Sequence, residues 1–288
     1  MKRNSMVVSM RGIVTCILLT GVLLPVSPKS PLPPAEYFVD DTGSGTACTQ
    51  AAPCPLSYAL SQAGPMNIYL AAGTYTGSGE EVVKITNAKI INLYGGWDGA
   101  TTGPIVRDPD TYISLIDGGN ARRGITIVGN GTDPLSPVIG GLSIINGNAS
   151  GLTANCTGAS GDPSGCGGGI FIYNASPIIS FNRIYNNKAN TNLEPSKSGY
   201  GGGIYSRKSN GAQINNNLIY SNLADESGQG YGGGVAFMYS TGNTSFYNNQ
   251  VYNNNAGINQ FDLVMCDGQH ILLLYRSSTR NYRVNVII

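Results

Sequence analysis

The sequence has little charge and almost no histidine. Only 11% of its 288 residues are charged, the formal net charge is +1, and His270 is the single histidine. A nucleic-acid-binding protein needs a basic face, so this charge balance argues against that class. One histidine also disfavours a His-ligated metal site and a Ser-His-Asp triad. We therefore expect no nucleic-acid partner, no metal and no cofactor; calcium binding is an alternative that the sequence does not support.

The sequence is rich in glycine and asparagine instead. It contains 40 Gly residues, and between 174 and 256 about one residue in five is Asn. The glycines follow no three-residue period, which excludes collagen, and 41% hydrophobic content is too high for a disordered chain.

The first thirty residues have the pattern of an export signal. Lys2, Arg3 and Arg11 precede an uncharged apolar stretch at 12–26, which is typical of a secretory signal peptide. A membrane span needs about 20 apolar residues. We therefore expect a signal peptide at 1–30, no membrane span in the mature chain, and a secreted protein that is extracellular or at the cell surface or outer envelope.

Four cysteines form two local pairs in sequence. Cys48 and Cys54 are six residues apart, and Cys156 and Cys166 are ten apart. Export permits disulfides. Three pairings are open for four cysteines; the local one is favoured, with free thiols and a zinc site as the alternatives.

The middle of the chain is an internal repeat. A glycine run recurs at offsets of 34 and 31 residues, as Gly167–Ile170, Gly201–Ile204 and Gly232–Val235. A second string with the pattern N-x-[IV]-Y-x-N-x-A follows each run, at Asn182–Ala189, Asn217–Ala224 and Asn249–Ala256. Such periods indicate a stacked repeat architecture.

Each repeat offers three short apolar patches with the alternation of strands. They centre on Ile170, Ile179 and Ile184, then Ile204, Ile214 and Ile219, then Val235, Phe246 and Val251. Three strands per turn predict an all-β fold, a parallel β-helix in which equivalent residues stack about 4.8 Å apart. Dividing the exported length by the repeat gives about seven to nine turns. A kelch propeller and a calcium-binding β-roll fit the period and the glycine runs poorly.

The fixed positions of Asn and Tyr in the repeat carry two further predictions. Asn187, Asn222 and Asn254 should stack as an amide ladder. Tyr185, Tyr220 and Tyr252 should form an outward column, because Tyr follows an inward Ile. Phe171 and Tyr205 occupy equivalent outward positions on another sheet. These five aromatic residues are candidates for glycan binding, with the Tyr column as a flat platform for sugar rings; plain cross-strand packing is the favoured alternative.

The motif set resembles secreted right-handed parallel β-helix proteins of the pectin-lyase-like superfamily. The GGG-[IV] run with N-x-I-x-x-N-x-A is also similar to the repeats of polymorphic outer membrane proteins. The resemblance covers 36–257, with a cap and early turns at 36–130 and the repeats at 138–257. It implies an N-terminal cap, with a strand and then a short capping helix around Leu56–Ala63.

The repeats lack the strings of acidic and basic residues that pectate lyases and polygalacturonases carry. Between 167 and 256 the acidic residues are Glu194, Asp225 and Glu226, and we expect all three in loops. Another polar stretch, 107–123, could bind calcium or an acidic sugar, but its D-P-D and D-G-G strings favour turns. The sequence therefore predicts a non-catalytic adhesion or polysaccharide-binding protein. A polysaccharide lyase or hydrolase and a structural spacer within a larger surface protein are the alternatives.

The last segment, 258–288, breaks the Gly/Asn pattern. It contains the apolar run ILLLY and three arginines. Two interpretations stay open: an atypical C-terminal cap over the last turn, or a truncated or frameshifted tail.

Overall fold

The structure is a computed structural model that describes residues 33–156, 162–193, 197–227, 230–240 and 244–257, and the strands at 261–266, 271–275 and 282–287. The signal peptide expected at 1–30 lies outside the described residues. From residue 34 onward the chain belongs to one compact unit.

Apart from one short helix, α1 (Leu56–Ser61), the regular elements are strands. In chain order they are β1 (Ala35–Val39), β2 (Met66–Ala71), β3 (Gly73–Tyr75), β4 (Glu81–Thr86), β5 (Ile91–Trp97), β6 (Ser114–Asp117), β7 (Arg123–Val128), β8 (Val138–Gly140), β9 (Leu142–Ile145), β10 (Asp162–Cys166), β11 (Ile170–Tyr173), β12 (Ile178–Ser180), β13 (Arg183–Tyr185), β14 (Lys188–Asn190), β15 (Lys197–Tyr200), β16 (Ile204–Arg207), β17 (Gln213–Asn215), β18 (Leu218–Tyr220), β19 (Leu223–Asp225), β20 (Val235–Met238), β21 (Ser245–Tyr252), β22 (Phe261–Cys266), β23 (Ile271–Tyr275) and β24 (Tyr282–Ile287).

These strands form a right-handed parallel β-helix with three faces, as the repeat predicts. Face 1 consists of β4, β7, β11, β16, β20 and β22. Face 2 runs through β1, β2, β5, β8, β12 and β17, and face 3 through β3, β6, β9, β13 and β18. The long strand β21 closes both, because its first half pairs with β17 and its second half with β18. Right-handed connections are the rule for parallel strands in one sheet.

The described chain makes six coils, fewer than the seven to nine expected. Each of the six face 1 strands completes one coil, and β1 adds a partial coil before the first. The expectation overestimated the number because the long segment 98–113, between β5 and β6, uses chain length outside the coils.

The predicted apolar columns form the core. Ile184 pairs in register with Ile219, and Ile219 with Val251, and all three side chains are buried. The columns that begin at Ile170 and Ile179 stack in the same way. One coil alone could not cover these side chains, so the core exists only through stacking.

The predicted amide ladder is confirmed. The Nδ2 of Asn187 donates to the Oδ1 of Asn222 at 2.9 Å, and the Nδ2 of Asn222 donates to the Oδ1 of Asn254 at 2.9 Å. Each Nδ2 also donates to a main-chain oxygen of the coil before it, such as that of Ile184. All three side chains are buried, so the ladder satisfies polar groups that water cannot reach.

A second ladder, which the sequence interpretation missed, lies at the corner between faces 2 and 3. There Asn182 donates to Asn217 at 3.0 Å, and Asn217 to Asn249 at 2.9 Å. These are the first Asn of each N-x-[IV]-Y string. Each repeat therefore places one buried Asn side chain at the corner between faces 2 and 3, and another after the face 3 strand.

Within the repeats, the corner between faces 2 and 3 keeps a constant length. Faces 2 and 3 are joined by two residues in the repeats, for example Phe181 and Asn182 between β12 and β13. The connection from face 3 to face 1 carries the long segments instead, including 146–169 and 191–203.

The N-terminal end is closed as expected. The helix α1 begins at Leu56, within the predicted range, and buries Leu56 and Ala59. The Cys48–Cys54 disulfide holds the preceding loop, whose main chain bonds to Phe38 of β1. The second local pair, Cys156–Cys166, is also bonded. Both favoured pairings are thus present.

The C-terminal strands run antiparallel to the last coil. β23 pairs with β22, and β24 pairs with β21. Whether 258–288 is a genuine cap or an altered tail stays a prediction.

Candidate functional site

The three predicted tyrosines form a stacked row, here called the tyrosine row: Tyr185, Tyr220 and Tyr252. Their ring centroids are 4.9 and 5.1 Å apart, with interplanar angles of 5° and 4°. All three are partly exposed. Because each ring lies flat on the next, the ring faces cover one another and the ring edges point outward. The stacking agrees with the favoured interpretation, cross-strand packing, and not with a flat platform, since a sugar ring cannot lie on a face that a neighbouring tyrosine occupies.

The pKa of Tyr220 is raised, chiefly by burial and then by Tyr185 and Tyr252, while Arg183 opposes the shift. The phenol therefore stays protonated at neutral pH. The row offers phenol O–H groups at the spacing of the coils.

The predicted exposure of Phe171 and Tyr205 is wrong. They stack on each other at 5.6 Å, but only 1% and 0% of their surfaces are exposed. The segment that carries the Cys156–Cys166 disulfide covers this part of face 1. The alternation of a strand separates inward from outward side chains, but it does not reveal that a distant segment folds over the outward ones.

A buried arginine lies beneath this cover. The Arg123 guanidinium is 4.3 Å from the Phe171 ring centroid and donates to the main-chain oxygens of Cys166 and Leu152, at 3.0 and 2.7 Å. Burial lowers the pKa of Arg123 to about 10, while Glu81 and Glu80 raise it. Its contacts tie the covering segment to face 1.

The polar stretch 107–123 is dispersed. Asp108 accepts hydrogen bonds within its own turn, which lower its pKa, and Asp117 accepts from Gly119 and Asn146. Arg122 donates to the main chain of Gly79. Within the described ranges, no three His, Cys, Asp or Glu residues lie together in a way that could hold a metal ion. The favoured turn interpretation agrees with these contacts.

Three residues at the start of that stretch line a groove. It has a volume of about 520 Å³ and runs along the corner between faces 2 and 3, from the second coil to the fifth. The insertion 98–113 forms one wall through Arg107, Pro109 and Asp110. The two-residue corners of successive coils, including Phe181, form the opposite side. Sequence reasoning missed this site, because nothing in the chain indicated where the insertion would lie.

Arg107 is fixed within the groove. Its Nε donates to the main-chain oxygen of Gly95 and its Nη2 to that of Gly140, both at 2.9 Å. The guanidinium lies 4.9 Å from the centroid of the Tyr94 ring. Tyr94 in turn stacks on Tyr69 at 5.3 Å, and Tyr69 on Phe38 at 5.3 Å. This second aromatic row was detectable, since N-I-Y and N-L-Y occur at 67–69 and 92–94.

Arg183 connects the insertion to face 3. Its Nη2 lies 2.6 Å from the Oδ1 of Asp110, and its Nη1 donates to the main-chain oxygen of Pro109 at 3.1 Å. Arg183 is two residues before Tyr185 on β13, so both project outward from face 3. The groove and the tyrosine row are therefore neighbours on one surface.

Phe181 is the unusual residue of the groove. Its backbone has φ +57°, in the left-handed region, and 63% of its surface is exposed. The aligned corner positions of neighbouring coils carry Gly141, Asn216 and Asn248, also with positive φ. Glycine and asparagine adopt this conformation readily, whereas a bulky residue is strained there. Most of the Phe181 side chain is therefore accessible to solvent.

Comparison with protein families, with curated proteins and with solved structures finds no match to this chain. In the described part of the chain, the single helix is too short to cross a membrane.

Proposed function

We propose that this protein is an exported, non-catalytic β-helix that binds a polysaccharide along the groove and the tyrosine row. Its work is adhesion or glycan attachment outside the cell or at the cell surface.

The observation that carries this proposal is Phe181. An exposed aromatic ring in a strained backbone conformation is unfavourable for folding, and such strain is typical of functional positions. The ring stands at the edge of a groove that also contains two guanidinium groups. Carbohydrate recognition uses this combination, because an aromatic face covers the apolar face of a sugar while charged and O–H groups bond to its hydroxyls.

The groove favours binding over hydrolysis. Glycoside hydrolysis uses two carboxyl groups on opposite sides of the bond that is cleaved. The described lining of the groove contains one carboxylate, Asp110, and Arg183 is paired with it. The alternative of a polysaccharide lyase or hydrolase has no comparable support. A passive spacer would not need an exposed aromatic ring beside two guanidinium groups in a groove.

Export and family membership belong to the same proposal. The basic and apolar N-terminal pattern, the two disulfides and the coil motifs are what a secreted relative of the pectin-lyase-like or polymorphic outer membrane proteins would carry. Detection of the intact protein in the culture medium of a secreting host, with the N-terminal 30 residues removed, is the test of export.

The binding test is Phe181→Asn, measured as retention on insoluble cellulose, xylan and chitin. We expect binding to the retained polysaccharide to weaken about tenfold, from loss of the aromatic contact. Stability should rise by about 1 kcal/mol, because Asn tolerates the left-handed conformation.

Tyr239→Asn is the matched control. Tyr239 has φ +54° and is 37% exposed, but it lies at the corner that follows face 1 and outside the groove. It should gain similar stability and keep its binding. Unchanged retention in Phe181→Asn, or an equal loss in both variants, would refute the proposal.

A further inference from the structure

We infer that Arg107 is a subsite for an anionic substituent on the bound polysaccharide, a carboxylate or a sulfate ester. This inference rests on the proposed function and adds the chemical class of the ligand to it.

The first ground is the missing counter-charge. The other groove cation, Arg183, is paired with Asp110. Arg107 has no carboxylate within 4.0 Å among the described residues. With Arg107, Arg183 and Asp110 in its lining, the groove carries one net positive charge.

The second ground is that hydrogen bonds fix the position of Arg107 but use only part of its N–H donors. A guanidinium has five N–H donors. Two of them donate to the main-chain oxygens of Gly95 and Gly140, and the Tyr94 ring supports one face. The side chain nevertheless remains exposed. Three donors are therefore available on a group that loses little conformational freedom on binding, and a planar fork suits two oxygens of one anion.

The third ground is the spacing to Phe181. Arg107 bonds at the level of Gly140 in the third coil, and Phe181 belongs to the corner of the fourth. Successive coils are about 4.8 Å apart, a distance comparable to one sugar unit of an extended polysaccharide. An anionic sugar at Arg107 would thus be adjacent to the sugar that covers Phe181.

The experiment compares polymers that differ only in charge. Affinity electrophoresis is run with hydroxyethyl cellulose, carboxymethyl cellulose and cellulose sulfate, and with dextran, carboxymethyl dextran and dextran sulfate. The variants are Arg107→Gln and Arg107→Lys. Arg122→Gln is the control, since Arg122 also donates to a main-chain oxygen but lies outside the groove.

We expect the wild type to bind a charged polymer at least about tenfold more tightly than its neutral counterpart, and Arg107→Gln to abolish that difference. Arg107→Lys should retain part of it, and Arg122→Gln all of it. The polymer that is preferred identifies carboxylate or sulfate as the anion.

Equal binding of charged and neutral polymers by the wild type, or equal losses in Arg107→Gln and Arg122→Gln, overturns the inference. If neutral polymers bind to the wild type but not to Phe181→Asn, the proposed function stands and the anionic subsite at Arg107 does not. If no polymer is bound, both fall.

Discussion

Asparagine serves two separate purposes in this chain. At ladder positions such as Asn222 the side chain is buried and bonds to the coils on both sides. At corner positions such as Asn216 and Asn253 the backbone adopts positive φ, which asparagine tolerates better than most residues. Two asparagines that are adjacent in the sequence, such as Asn253 and Asn254, therefore contribute to the stability of the fold in different ways.

Asn222→Ala should lower the free energy of unfolding by about 2–4 kcal/mol, because it leaves the main-chain oxygen of Ile184 and the N–H of Asn187 without their buried partner. Urea denaturation followed by circular dichroism measures the change. Asn192→Ala, at an exposed loop position, should change stability by less than about 0.5 kcal/mol. Similar midpoints for the two variants would contradict the ladder's role.

Residue-level prediction from sequence worked where a fixed offset repeated. The offset of Asn187, Asn222 and Asn254 from the buried Ile was enough to predict their ladder. The covering of Phe171 and Tyr205 could not be predicted, because it depends on a segment that the repeat does not contain. The stacking of the tyrosine row followed from register, but the orientation of its rings did not.

At the scale of the element, the glycine runs are set by how closely the coils approach. A Cβ at Gly203 would lie 2.6 Å from the main-chain oxygen of Gly234 and 3.0 Å from the Nδ2 of Asn222. The run is therefore the place where main chain meets main chain next to the ladder. Because each coil of the repeat needs this close approach, the glycine run recurs once per repeat, and its position in the sequence therefore predicts the position of each of these coils.

Gly203→Ala should destabilise the protein by about 1–3 kcal/mol, since the coils must move apart to admit the methyl group. Thermal unfolding monitored by circular dichroism tests this expectation. Gly45→Ala is the comparison, because the nearest atom to its Cβ would be the Pro53 oxygen at 3.7 Å, an ordinary contact. Equal melting temperatures in the two variants would show that the coils yield freely.

At the scale of the whole molecule, the N-terminal coils depend on a buried tyrosine. The Tyr75 hydroxyl lies 3.2 and 3.0 Å from the main-chain oxygens of Val39 and Ala71, and its single O–H, shared between them, joins β1 to the first full coil. Burial raises the pKa of Tyr75 above its usual value, with Asp40 and Asp41 adding to the shift.

Because of this raised pKa, the folded protein should lose stability at alkaline pH. The folded state holds the phenol proton more tightly than the unfolded chain, so the contribution of Tyr75 is complete below about pH 10 and is lost as pH rises beyond it. Tyr75→Phe should be about 1 kcal/mol less stable at pH 7, yet lose less stability between about pH 9 and 11. Urea midpoints across that range decide, and parallel curves for variant and wild type would contradict the assignment.

The unequal corners also determine where this molecule can be altered. The corner between faces 2 and 3 is restricted to two residues by a buried amide in the repeats, so added length there would break a ladder. The return from face 3 to face 1 already accommodates segments of different size, and Leu193 on one of them is 69% exposed. A foreign epitope or a fluorescent label inserted after Leu193 would project from the side of the β-helix. It would leave unchanged the stacked core and the groove, which lies at the corner between faces 2 and 3.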